Sequence, residues 1–154
     1  MIKIVQGDLL NAEEDIIAHQ VNCKGVMGSG LANQIKNKYK GVYQKYKREC
    51  EEELRRSGKT LFLLGHTLNV EVGEGKYVSN LFGQDGYGRD KRYTDYPSLK
   101  ISLIKLEKFA RNNNLTVAMP HGIGAGLAGG NWEEIYKIIE EVFKEVEVTL
   151  YKYN

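Results

Sequence analysis

The sequence predicts an α/β protein, a mixed and mostly parallel sheet covered by helices on both faces. Three observations predict it. Strand-like apolar runs alternate with helix-like periodic segments along the whole chain. A strand running into a glycine loop and then a helix occurs twice, once near each end. A strand pair in the middle, turning at Gly73-Glu74-Gly75, supplies the antiparallel member.

In chain order, Ile2, Ile4 and Val5 make a short strand that stops at Gly7-Asp8. Ile16-Ile17-Ala18 carries a second strand on to Val21 and Asn22. Gly25, Gly28, Ser29 and Gly30 open a glycine loop, after which Leu31, Ile35 and Tyr39 recur at helical spacing. Residues 36–59 are densely charged, with Val42, Tyr43, Tyr46 and Leu54 as the sparse apolar positions of a second helix ended by Ser57-Gly58. The apolar run 60–64 predicts a strand, and residues 68–72 and 76–82 predict the central hairpin. Residues 83–96 form the longest irregular stretch. Pro97 starts a helix whose inner stripe is Leu99, Leu103, Leu106 and Ala110, ended by Asn112-Asn113-Asn114. The β-branched run 115–118 leads into a second glycine loop. Asn131 and Glu134 then form a capping pair for a helix that buries Trp132, Ile135, Ile139, Val142 and Phe143. Residues 146–153 close the chain as a strand.

At 154 residues the chain is expected to form one domain, 1–154, with a substantial core. Its hydrophobic and charged fractions, 42% and 27%, are those of a soluble globular protein. A net charge of +2 provides no strong field toward nucleic acid or membrane. Cys23 and Cys50 form neither a disulfide framework nor a zinc pattern, and a reducing cytoplasm suits them. The apolar start at Ile2 is too short for a signal peptide, and no run approaches membrane-spanning length. His19, His66, His121 and the cysteines lack paired ligand spacing, so neither metal nor cofactor is implied.

The second loop holds five glycines in the nine residues 122–130, with no charged side chain among them. Such a stretch is poor core material. Bare backbone N–H groups at a helix start make an anion seat, most often for phosphate, the alternative being a flexible connection. In open α/β sheets both loops lie at the carboxyl ends of the strands, where ligands bind. Gly124-Ala125-Gly126-Leu127-Ala128-Gly129 is formally a GxGxxG, but only one helix and one strand follow it, which makes it a weak Rossmann dinucleotide fingerprint. No GK[ST] follows either loop, which argues against a nucleotide-hydrolysing P-loop.

Four segments in order carry a resemblance: Val5-Gln6-Gly7-Asp8-Leu9, His19-Gln20-Val21-Asn22, Met27-Gly28-Ser29-Gly30-Leu31-Ala32 and Gly122-Ile123-Gly124-Ala125-Gly126-Leu127. Together they resemble the macrodomain, an ADP-ribose-binding module, over nearly the whole chain. The resemblance implies a three-layer α/β/α fold around a central mixed, mostly parallel sheet. It implies that Asp8 accepts from the adenine amino group beside the Leu9 backbone, as suits a carboxylate facing an N–H₂ donor. It implies that Gly28, Ser29, Gly30 and Leu31 on one side clamp the pyrophosphate. Gly122, Ile123, Gly124, Ala125, Gly126 and Leu127 would close on it from the other side. Gln20, Val21, Asn22 and Met27 are implied at the distal ribose, and Tyr151 or Tyr153 against adenine, although both tyrosines also read as ordinary sheet aromatics.

The expected partner is ADP-ribose or a derivative, with ADP-ribosylated protein or nucleic acid as the larger form, no membrane, and a monomer as the simplest state. The resemblance extends to the branch of ADP-ribose 1″-phosphate phosphatases and de-ADP-ribosylating glycohydrolases. In the latter a lysine and an aspartate act, near positions occupied here by Phe82-Gly83-Gln84 and by Ala128. Neither is present, leaving Asp85, Asp90 or Lys91 as substitutes. The His-Gln-Val-Asn segment is similar to the phosphatases. There His19 and His121 would handle protons while Asn22 positions the ribose; a hydrogen-bonded core histidine is the alternative for each. A non-catalytic ADP-ribose reader would use the same pocket. A third class is nucleic-acid binding through Lys36, Lys38, Lys40, Lys45, Lys47 and Arg48, interleaved with Tyr39, Tyr43 and Tyr46. Glu49 and Glu51 to Glu53 follow directly, and a solvated helical face accounts for that balanced charge. Residues 86–93 are expected to meet the distal part of the ligand.

Overall fold

The computed structural model describes residues 1–153; Asn154, the last residue of the expected domain, lies outside the described residues. The strands β1 (Ile2–Gln6), β2 (Ile16–Val21), β3 (Thr67–Gly73), β4 (Lys76–Phe82), β5 (Val117–Pro120) and β6 (Val148–Lys152) form one sheet, ordered β1-β6-β5-β2-β4-β3, with β2, β4 and β5 buried nearly continuously because both faces are covered. Each neighbouring pair is parallel except β3–β4, the hairpin at the sheet edge. Since β1, β2, β4, β5 and β6 all run the same way, the loops that follow the first four emerge along one edge.

Four helices cover the sheet: α1 (Gly30–Lys38), α2 (Lys40–Ser57), α3 (Tyr96–Asn113) and α4 (Trp132–Val142). Ile16 and Ala18 of β2 pack with Leu99 and Leu103 of α3 and Ile135 and Ile139 of α4 on one face. Val21, Val78 and Phe82 pack with Ile35, Val42 and Tyr46 of α1 and α2 on the other. Successive strand side chains point to opposite faces, so one strand feeds two cores. The result is a three-layer α/β/α sandwich. Each fully buried Leu or Ile contributes about 1.5–3 kcal/mol. That exceeds the roughly 1 kcal/mol of a helix cap, so packing holds α4, and its expected cap sets where it starts. Asn131 Oδ1 accepts the Glu134 N–H at 3.1 Å.

One expected strand is absent. Residues 60–64 do not join the sheet; Thr60–Leu63 is a 3₁₀ turn. Only Leu63 of its leucines and phenylalanine enters the core, while Leu61 and Phe62 are 44% and 54% exposed. Thr60 is held from outside the sheet by Lys24 Nζ at 2.9 Å and Asp85 Oδ1 at 3.2 Å. A short apolar run does not distinguish strand from turn by periodicity.

Of the tyrosines interleaved in the basic stretch 36–48, Tyr39 and Tyr43 are half-buried and Tyr46 is in the core. Tyr46 is fully buried and its O–H donates to the Asn22 carbonyl at 2.8 Å. Lys36 Nζ lies 4.2 Å from the Tyr43 ring centre, and Lys38 Nζ donates to the Leu10 carbonyl. No described helix is long and apolar enough to cross a membrane.

Candidate functional site

At the carboxyl ends of β2 and β5 the two glycine loops face one cavity of about 600 Å³, the size of a nucleotide-scale ligand site. Gly28, Ser29, Gly30 and Leu31 form one wall. Gly122, Gly124, Gly126 and Leu127 form part of the other. The loops approach so closely that a Cβ on Gly30 would stand 3.7 Å from Leu127 Cδ1.

The first wall is the amino end of α1. The first-turn N–H groups of a helix have no partner within it. Ser29, the residue before α1, makes no side-chain cap bond, so those donors remain open toward the cavity. Asn22 shapes the turn that precedes them. Its Oδ1 accepts from the Lys24 N–H at 2.9 Å and lies 2.7 Å from the Tyr46 hydroxyl, whose one hydrogen it shares with the Asn22 carbonyl, and its Nδ2 donates to the Val26 carbonyl at 2.8 Å. A carboxamide has two N–H hydrogens, and the second makes no hydrogen bond among the described residues.

In the second wall the amides divide into two sets. Ile123 and Ala125 donate to Pro120 and Gly122 carbonyls at 3.1 and 2.9 Å, closing the loop's own turns. Among the described residues, Gly124, Gly126 and Leu127 make no such backbone bond. Ile123 and Ala125 thus spend their N–H groups within the loop; Ile123 is packed into the core beside α4 and still lines the cavity. Gly124 has φ +76°, and a Cβ there would come within 3.1 Å of Ile135 Cδ1 and 3.2 Å of Gln20 Oε1. A side chain would both strain the turn and collide.

Gln20 ties this wall to the long 83–95 segment. Its Nε2 donates to Gln84 Oε1 at 2.8 Å and Thr94 Oγ1 at 2.9 Å, and Thr94 donates onward to the Gly124 carbonyl at 2.7 Å. The Ala128 carbonyl accepts from Tyr93 and Thr94 N–H at 2.7 and 3.2 Å. Gln84 and Thr94 are an isolated antiparallel bridge. Sequence reasoning missed this pair, and no local pattern marks it, since its partners come from three separate segments. The segment nevertheless brings Tyr87, Gly88 and Arg89 to the cavity, near where the sequence placed a distal contact.

The two histidines are in opposite circumstances. His19 borders the cavity floor, but its residue is only 2% exposed and its Nε2 lies 2.7 Å from Oδ1 of Asn80, its cross-strand partner on β4. Burial pulls its pKa down to about 4, with the Asn80 bond opposing that shift, and its Nδ1 is enclosed without a partner. Such a ring is neutral and cannot meet solvent. His121 lines the cavity half-buried, 4.8 Å from the Trp132 ring; burial and then the Lys152 charge lower its pKa. It too is neutral at pH 7, but accessible.

Asp8, Leu9 and Tyr151, expected at the adenine, are not among the residues that line this cavity; Asp8 and Leu9 follow β1, and Tyr151 is on β6. Asp8 Oδ1 accepts the Leu10 N–H at 3.0 Å. Leu9 is buried with Ile17 and Ala118, and Leu31 of the first loop and Tyr151 pack on them. Tyr151 O–H donates to Glu14 Oε1 at 2.6 Å, and burial, then that bond, pushes its pKa up to about 12. Tyr153 is 77% exposed. Met27 does not reach the ligand cavity: it is buried with Ile35 and Val42 between β2 and the helices, which corrects its placement at the ribose. Val21 lines the cavity only as an otherwise buried residue.

Asp85, one of the expected substitutes, is paired with Lys24 at 3.3 Å. Asp90 accepts from the Tyr93 O–H at 2.6 Å. Burial, then Asp85, pushes the Cys23 thiol up to about 12, and burial pushes Cys50 to about 11, so neither is a thiolate nucleophile. No described group of three or more His, Cys, Asp and Glu could hold a metal.

The Macro domain family model matches residues 18–139 of this chain. A DNA ADP-ribosyl glycohydrolase of Mycobacterium tuberculosis is 30% identical over 150 residues, 95% of this chain, which spans only 40% of that relative's length. An ADP-ribose 1″-phosphate phosphatase of Meyerozyma guilliermondii is 26% identical, over 91% of this chain and 93% of the relative. Among solved structures, the macrodomain of Mycobacterium tuberculosis DarG superposes with a TM-score of 0.80 at 28% identity, covering 98% of this chain and 97% of that one.

Proposed function

The chain belongs to the Macro domain family, and on that premise we propose that it binds ADP-ribose between its two glycine loops and removes the phosphate from ADP-ribose 1″-phosphate. An ADP-ribose-related hydrolase or binder is the common ground of the relatives; the phosphatase is the finer reading. The observation that carries it is the convergence of both loops, and of an accessible neutral histidine, on one cavity. The near full-length match to a phosphatase supports it further.

In this reading Asp8 accepts from the adenine amino group and Tyr151 lies against the ring. The open amides of α1 and of Gly124, Gly126 and Leu127 hold the diphosphate without any cationic side chain, as helix starts and nests do. The remaining Asn22 N–H meets a distal ribose hydroxyl. His121 takes a proton from water as the water oxygen attacks phosphorus. The bond from phosphorus to the ribose oxygen breaks, and His121 returns the proton to that oxygen, so ADP-ribose and inorganic phosphate leave. His19, neutral and paired with Asn80, keeps the β2–β4 edge of the floor in register.

A glycohydrolase acting on ADP-ribosylated protein or nucleic acid is the second reading, favoured by the 30% identical relative. Against it, Ala128 and Phe82-Gly83-Gln84 provide neither of the expected reacting side chains. Phosphate release from ADP-ribose 1″-phosphate is the test, with His121→Ala and Asn22→Ala as probes. Tight ADP-ribose binding without release would make the protein a reader, and release of ADP-ribose from a modified macromolecule would establish the second reading.

A further inference from the structure

We infer that Arg89 is the receptor for the terminal phosphate of the ligand, and so the residue that separates a phosphorylated ADP-ribose from ADP-ribose itself; the inference rests on the phosphatase reading above. Gly28-Ser29-Gly30-Leu31 and residues 122–127 offer backbone N–H groups and the Ser29 hydroxyl, and no cationic side chain. A second phosphate on the distal ribose adds a dianion, for which neither of these stretches holds a countercharge. Among the described residues lining the cavity, Arg89 is the sole lysine or arginine.

The neighbouring cations are directed elsewhere. Lys91 Nζ lies 5.1 Å from the Tyr93 ring centre, and Arg92 Cζ lies 4.6 Å from that of Tyr96. Arg89 has neither an aromatic partner nor an ion pair among the described residues. The turn that carries it is built. Tyr93 donates to Asp90 Oδ1, and a Cβ on Gly88 would fall 2.7 Å from that oxygen and 3.0 Å from the Tyr93 hydroxyl. Gly88 therefore lets the Tyr93–Asp90 pair close over the backbone next to Arg89. The Gln84–Thr94 bridge anchors the base of the same segment to the diphosphate wall. A guanidinium suits a phosphate monoester, which it can bind through two parallel N–H bonds.

The test compares ligands in one protein. For Arg89→Gln, KM for ADP-ribose 1″-phosphate should rise about tenfold or more, as expected for a lost charge-assisted hydrogen bond. The Kd for ADP-ribose should stay within about twofold, and Arg89→Lys should recover part of the loss. If the wild type releases no phosphate, the two Kd values are compared directly and the same selectivity is expected. Lys91→Gln and Arg92→Gln, whose charges rest on tyrosines, should leave the ratio unchanged. Equal weakening of both ligands, or no change in either, overturns the assignment. So does a loss confined to a single-stranded oligonucleotide, which would make Arg89 a contact for a nucleic-acid backbone. A wild type that does not bind ADP-ribose at all would instead remove the reading on which this one stands.

Discussion

Gly126→Glu separates the fold from the anion seat. Gly126 lines the cavity, a Cβ there meets nothing within 4 Å, and its backbone does not need the left-handed region. Its carbonyl accepts from Gly129 N–H, a bond that a side chain leaves alone. The substitution should therefore shift the melting temperature little, as surface changes outside packed sites do. The new carboxylate would stand within reach of the bound diphosphate. One pair of like charges about 5 Å apart costs roughly 3 kcal/mol at an effective dielectric of about 20. That corresponds to an affinity loss of about two orders of magnitude, and more if both phosphates are felt. Gly126→Ala adds no charge and should bind within a few-fold of wild type. Calorimetric titration with ADP-ribose, beside thermal melts of each variant, measures both terms. A folded Gly126→Glu protein that binds ADP-ribose with wild-type affinity would refute the cradle. So would a Gly126→Ala variant as weak as the glutamate, because then volume rather than charge would be at work.

Three further outcomes are expected. Asp8→Asn keeps an acceptor for the Leu10 N–H and so the local turn, but loses the carboxylate; ADP-ribose affinity should fall about tenfold with stability nearly unchanged, whereas Asp8→Ala should also lose about 1 kcal/mol of stability in denaturant titration. Thr94→Val removes one of the two donors to the Gly124 carbonyl, which keeps the Gly130 N–H, and leaves one Gln20 hydrogen without its partner; it should cost about 1–3 kcal/mol in the same assay while weakening ADP-ribose binding. His19, whose pKa falls on folding from 6.5 to about 4, binds a proton in the unfolded chain that the native protein refuses. Its contribution of about 3 kcal/mol is fully present above pH 6.5 and is lost as the pH falls toward 4. Denaturant midpoints across that window should drop in the wild type, and this part of the slope should flatten in His19→Gln.

Strand and helix positions were legible wherever one face had to be buried, because period-two and helical spacing are properties of neighbouring residues. That is why the Leu99, Leu103, Leu106 and Ala110 stripe and the Asn131 cap were readable in advance. The 60–64 run misled for the same reason. Its hydrophobicity is local, but whether a sheet edge lies beside it is not. Met27 misled by adjacency, since its neighbours Gly28 and Val26 line the cavity while its own side chain turns into the core.

The sequence by itself determined the two bare glycine cradles and the helix start that follows each, since a main chain without side chains has few other uses between a strand and a helix. Tertiary structure alone decided which polar residues can do chemistry. Asn80 encloses His19 from 61 positions away, and the Gln20–Thr94–Gly124 chain joins segments 74 and 30 residues apart. Burial and hydrogen-bond partners set whether a histidine is an inert core ring or an accessible base. Those partners are chosen by the packing of strands and loops, not by neighbours in the chain.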